Sequence, residues 1–127
     1  MNQQKRRVVV TGLGTLNPLG NDVPTTWHKI SQGESGIDSI TGFDATEYKT
    51  TVAGQVKGFD PQDYFDRKEV RRMSRMTQFA LFAAQQAIED AELAVTEANK
   101  NRIGVVIGSG MGSLDPIIDN VNVLNER

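Results

Sequence analysis

Apolar positions along the chain change their spacing from one segment to the next, and the spacing predicts the elements. Ile103, Val105, Val106 and Ile107 form a short β-branched run with Gly104 inside it, the pattern of a strand covered on both faces in an α/β sheet. Val8, Val9, Val10 and Thr11 give residues 5–11 the same character. Residues 48–56 alternate, with Tyr48, Thr50, Val52 and Gly54 on one side, and read as a more polar edge strand. Helical spacing follows over 67–92, where Met73, Met76, Ala80, Ala83, Ala84 and Ala87 recur every three or four residues and Phe79 and Phe82 widen the stripe. The small alanines allow this helix to lie close against a neighbour. A shorter helix is predicted over about 24–32, with Trp27 and Ile30 inward and Gly33 as its stop, and a last one over 115–126.

The joints between these elements carry the local chemistry. Gly108-Ser109-Gly110-Met111-Gly112 places glycine at every second position after a buried strand, a loop shaped for close approach of other atoms. Asp115-Pro116 then reads as a helix cap followed by proline in the first turn. Gly12-Leu13-Gly14 also follows a strand, as a dinucleotide-binding fingerprint does. The third glycine of that fingerprint belongs at position 17, where Asn17 stands, and Asn17-Pro18 favours a turn over direct helix entry. The segment is therefore read as a tight structural loop. Residues 33–47 are rich in turn formers, with Ile37, Ile40 and Phe43 pinning them to the core surface, and Asp60-Pro61 caps and opens a short helical turn.

Composition narrows the function classes. The chain has 127 residues, one domain's worth, with 38% apolar and 24% charged residues. A net charge of −2 gives no reason to expect nucleic acid or an anionic membrane surface. The apolar run at the start is too short for a signal segment or a membrane span, which leads to the expectation of a cytoplasmic protein. There is no cysteine, so this chain holds no thiol nucleophile or thiolate metal site. The single histidine, His28, sits between apolar positions beside Trp27 and reads as a surface residue. Alone it forms no histidine metal cluster, and no metal or cofactor is expected.

Charge is uneven at one place. Arg67, Lys68, Arg71, Arg72 and Arg75 crowd the front of the long helix against Asp66 and Glu69. Cations at a helix N-terminus oppose its dipole by about 0.3–1 kcal/mol each. Two readings stay open on charge alone: a docking patch for an anionic partner, or a solvated face with local ion pairs.

The stretches VVVTGLGTLNPLG, QGESGID, FDATEY, TTVAGQV, FDRKEVRRMSRMTQFALFAAQQAIEDA and RIGVVIGSGMGSL together resemble the start of the condensing enzymes of fatty acid synthesis, closest to the type II β-ketoacyl-[acyl-carrier-protein] synthases. The resemblance runs along essentially all of 1–127. It implies part of the N-terminal half of a thiolase-like α/β fold, a mixed sheet between helix layers, left incomplete with three strands. It also implies decarboxylative condensation of an acyl thioester with malonyl-carrier protein, and a homodimer for the full-length family. That chemistry needs a cysteine nucleophile and two histidines. In the family these lie beyond the positions covered here, so no catalytic residue is assigned and this chain alone is expected to be inactive. Met111, within Gly108, Gly110 and Gly112, matches the family's gate beside the acyl pocket, the alternative being a plain core methionine. Lys68, Arg71 and Arg72 match basic positions where the family docks the acidic acyl-carrier protein. The alternative function is a non-catalytic module that binds the carrier or itself.

Overall fold

The computed structural model describes residues 6–126. Helix α1 spans Val23–Ser31, strand β1 Ile37–Ser39, β2 Val52–Gly54, helix α2 Arg67–Val70, α3 Arg75–Asp90 and α4 Leu114–Asn125. Single 3-10 turns occupy Pro61–Asp63 and Lys100–Arg102.

Helix α3 is the spine, and the alanine stripe explains what lies on it. A Cβ added to Gly12 would stand 2.2 Å from the Ala87 carbonyl oxygen, and one on Gly14 would stand 1.9 Å from that of Ala83. Only glycine facing alanine permits such contact. Polar bonds then lock the segment down. The Leu13 N–H donates to Asp90 at 2.8 Å, and the Gln86 side chain donates to the carbonyls of Thr15 (3.1 Å) and Asn21 (2.9 Å). The Gly12–Gly14 loop is thus a packing device, as the misplaced third glycine implied. Asn17 and Gly20 exchange backbone hydrogen bonds at 3.0 and 3.2 Å, closing the turn expected at Asn17-Pro18.

Asp22 caps α1 by accepting from the Thr25 N–H at 2.7 Å. Gly33, at φ +74°, ends it: the Gly33 N–H reaches Ile30 and the Glu34 N–H reaches Lys29, satisfying the last carbonyls. The inward placement of Trp27 and Ile30 is corrected. Trp27 is 69% exposed, and both line a shallow apolar groove of about 190 Å³ with Leu13 and Val23. Across the groove stand only Leu13, Gly14 and Thr15, too little apolar surface to bury an indole ring. His28 is exposed, as expected.

The sheet departs most from expectation. β1 and β2 pair antiparallel with Ile37 opposite Gly54, and the edge strand expected over 48–56 shortens to three residues. Its partner comes from the segment read as irregular. Pro18 packs against both strands: a Cβ on Gly36 would meet it at 2.8 Å and one on Gly54 at 3.0 Å. Ile37 and Phe43 are more exposed than buried, and Phe43 packs edge-on against Tyr48 rather than on the core. Neither expected buried strand forms a ladder: residues 6–11 and 103–107 pair with nothing among the described residues, and Lys5 lies outside them. Val8 is 94% and Val106 98% exposed. A buried strand is defined by neighbours distant in sequence, and the described chain supplies none to either run.

The core is small and aromatic. Phe59 and Phe82 are buried, and Phe59 contacts Tyr64, Phe79 and Phe82 at centroid distances of 5.6, 5.7 and 5.0 Å. Asp60 caps the turn that carries Tyr64, accepting from the Gln62 N–H at 2.9 Å. α4 begins at Leu114 with Ser113 as its flanking residue, so Asp115 sits inside the first turn rather than at the cap. Its apolar face, including Ile117, Ile118 and Val121, is about half exposed. Among the described residues no helix is long and apolar enough to cross a membrane.

Candidate functional site

The expected single helix over 67–92 is two helices, and the break shapes the basic segment. α2 is one turn and ends at Arg71. Ser74 then caps α3, accepting from the Thr77 N–H at 3.3 Å. The buried Gln78 side chain spans the gap, donating to the carbonyls of Val70 (3.4 Å) and Met73 (3.2 Å). It supplies a partner to the Met73 carbonyl, which the broken helix leaves open, and a second donor to that of Val70, which also accepts from the Met73 N–H at 3.3 Å. Met73 falls in the break and so leaves the helical stripe.

This geometry divides the cluster of cations. The Arg75 guanidinium lies over the rings of Phe59 (5.0 Å) and Phe79 (4.6 Å). It also donates to the Phe59 carbonyl and to Gln78 Oε1, both at 3.3 Å. Arg75 therefore helps hold the aromatic core, by cation–π attraction worth about 0.5–2 kcal/mol. Lys68, Arg71 and Arg72 are exposed, and none makes an ion pair among the described residues. Arg71 at the end of α2 complements that short helix's dipole, so the electrostatic penalty expected of one long helix does not arise there.

The glycine loop stands apart from any sheet. Met111 is 74% exposed among the described residues. A Cβ on Gly108 or Gly110 would meet nothing within 4 Å, contrary to the close approach expected of this loop. With residues 103–107 unpaired, no sheet brings other atoms to it. Gly112, at φ +70°, takes the left-handed turn that glycine favours, and its N–H donates to Ser109 Oγ at 2.9 Å. Among the described residues one hydrogen bond joins the end of the loop to the basic segment, from the Ser113 hydroxyl to the Ser74 hydroxyl. Sequence reasoning passed over Ser74, Gln78 and Ser113. A serine three residues before Thr77, inside a helical stripe, was the available sign of a cap.

Two features thus stand on the described surface: exposed cations on and just after a short helix, and a glycine loop hydrogen-bonded through Ser113 to the cap of α3. Both lie in a chain whose residues 5–127 match the family model of the β-ketoacyl synthase N-terminal domain, and the chain belongs to that family. What the structure describes is a partial α/β fold of the thiolase-like kind. Among curated relatives, 3-oxoacyl-[acyl-carrier-protein] synthase 2 of Staphylococcus aureus (strain COL) is 49% identical over 112 residues, 88% of this chain and 27% of that protein. The protein of the same name from Synechocystis sp. (strain ATCC 27184 / PCC 6803 / Kazusa) is 44% identical over 126 residues, 99% of this chain and 30% of its own length. Among solved structures, the ishigamide ketosynthase/chain length factor superposes with a TM-score of 0.63 at 34% identity, over 70% of this chain and 22% of that one. The chain thus spans less than a third of the length of these relatives.

Proposed function

We propose that this chain is the N-terminal portion of a 3-oxoacyl-[acyl-carrier-protein] synthase 2, an acyltransferase that lengthens acyl chains by decarboxylative condensation in fatty acid biosynthesis. Within it, residues 1–127 act as scaffold, as a landing surface for acyl-carrier protein at Lys68, Arg71 and Arg72, and as the wall of the acyl pocket at Met111. The supporting observation is that these three cations are exposed and unpaired while the neighbouring Arg75 is committed to the aromatic core. Cations on and just after one short helix, with no ion pair among the described residues, suit an acidic partner, steering its approach and orientation.

The thiolate and histidines that the condensation requires have no candidate here, with no cysteine and His28 exposed on α1. The chain by itself is expected to produce no ketoacyl product from acyl- and malonyl-carrier protein. It is expected to bind the carrier, more weakly as salt rises. Reversing the three charges together (Lys68→Glu, Arg71→Glu, Arg72→Glu) is expected to weaken binding at least about three-fold, each exposed pair being worth about 0.2–1 kcal/mol. Calorimetric titration at two salt concentrations tests this. Binding unmoved by charge reversal would refute the docking surface, and turnover by the chain would refute the assignment of the chemistry elsewhere.

One observation favours a second reading, self-association. The β-branched runs at Val8–Val10 and Val105–Ile107 are uncovered among the described residues. Unpaired extended apolar segments invite pairing between chains. Sedimentation equilibrium decides: a monomer at all concentrations removes this reading.

A further inference from the structure

Ser113 flanks the start of α4, where a serine hydroxyl ordinarily accepts from a backbone N–H of the first turn. It makes no such bond. Its hydroxyl reaches instead to Ser74, 39 residues earlier, at a partly buried contact. Ser74 Oγ already accepts from the Thr77 N–H and lies 2.9 Å from Thr77 Oγ1. A serine hydroxyl has one proton and two lone pairs. Ser113 is the donor and Ser74 the acceptor; with Thr77 N–H also donating to Ser74, the Ser74 proton is left for Thr77 Oγ1.

Among the described residues this is the single hydrogen bond joining residues 104–126 to residues 6–103. On one side of it Ser74 follows Arg72 by two positions, at the root of the basic segment. On the other, Met111 precedes Ser113 by two, in a loop whose Gly108 and Gly110 meet no other atoms. We propose that Ser113 is a positioning residue: its bond to Ser74 ties the Met111 loop to the cap of α3, so that a carrier protein seated on Lys68, Arg71 and Arg72 moves the loop through this tether. The inference rests on reading those cations as the docking surface and Met111 as the gate.

Hydrogen exchange on the 127-residue chain tests it, with and without acyl-carrier protein. In Ser113→Ala the cap of α3 is intact, so exchange within 75–90 stays at the wild-type rate. The Gly112 amide, which donates to Ser109 Oγ, is expected to exchange about five-fold faster, the effect of losing one hydrogen bond, and Ser113→Thr restores it. Carrier is expected to change exchange at both 67–75 and 109–114 in the wild type. In Ser113→Ala it binds with unchanged affinity but affects 67–75 alone. Wild-type exchange in ligand-free Ser113→Ala would overturn the tether. A loop that responds to carrier equally in both, or in neither, would overturn the transmission. If the wild-type chain binds no carrier, the docking reading fails and transmission with it, while the ligand-free comparison still decides whether the tether exists.

Discussion

Replacing Gly14 with alanine adds one methyl group where a glycine lies closest to neighbouring backbone among the described residues. The new Cβ would stand 1.9 Å from the Ala83 carbonyl oxygen, 2.8 Å from the Ala87 nitrogen and 2.9 Å from Gln86 Cβ. Two of these atoms belong to the backbone of α3 and cannot rotate away. The segment must therefore retreat by roughly 1 Å, and it carries the Thr15–Gln86 pair and the Leu13–Asp90 bond with it. Overpacking costs about 1–3 kcal/mol, and each hydrogen bond lost adds about 0.5–1.5 kcal/mol. The expected loss is about 3–5 kcal/mol. Folded chains of 127 residues are stable by about 6–19 kcal/mol, and a core with three buried apolar side chains belongs near the lower end. One methyl group then removes about half of the stability or more. Urea unfolding followed by the fluorescence of Trp27 reads this directly, since that sole tryptophan lines the groove beside Leu13 and Gly14. Far-UV dichroism reports α3 in parallel. Gly104→Ala is the control: its added Cβ meets nothing within 4 Å, and a change within about 0.5 kcal/mol is expected. If Gly14→Ala and Gly104→Ala unfold at the same urea concentration, the close packing of this segment on α3 is refuted.

Two further outcomes follow from the described contacts. Gln78→Ala removes a buried donor from the carbonyls of Val70 and Met73, and an expected loss of about 2 kcal/mol is accompanied by faster amide exchange across 67–74, measured by thermal melting and hydrogen exchange. Asp38 is held below the ordinary carboxylate range by its hydrogen bond from Lys57, by the Ser39 N–H and by the Lys57 charge. A depressed folded value means that its contribution is complete above about pH 4 and fades as pH falls through the folded value; an NMR titration should place its midpoint below that of Asp38 in Lys57→Met, and equal midpoints would exclude the pair as the cause.

Local signals in the sequence were read well where local physics decides the outcome. Gly33, Asp60-Pro61 and the Asn17-Pro18 turn act through atoms a few residues away, and each does what its residue type favours. The Ala83 and Ala87 stripe announced a close neighbour, although not that the neighbour is the Gly12–Gly14 loop. The strands at 5–11 and 103–107 failed for the opposite reason. Their valines specify burial, but burial requires partners that the described chain does not provide. The break at Arg71–Ser74 was hidden because the methionine and alanine spacing runs through it, while a single capping serine and a buried glutamine decide it. Of the candidate site, residue types and exposure at Lys68, Arg71 and Arg72 were legible. The separate role of Arg75 was not, because its aromatic partner Phe59 lies 16 residues away.

The proline at position 18 has a consequence for how the molecule comes apart. A ladder of three residues per strand is too short to persist in water unaided, and here the pyrrolidine ring between Gly36 and Gly54, with the Asn21 side chain on the Lys57 and Gly58 carbonyls, holds it to the remainder of the chain. The hairpin and the Asn17–Gly20 turn are therefore expected to open together. A protease that nicks the connection between residues 40 and 51 reports, at a distance in sequence, on whether that turn is closed.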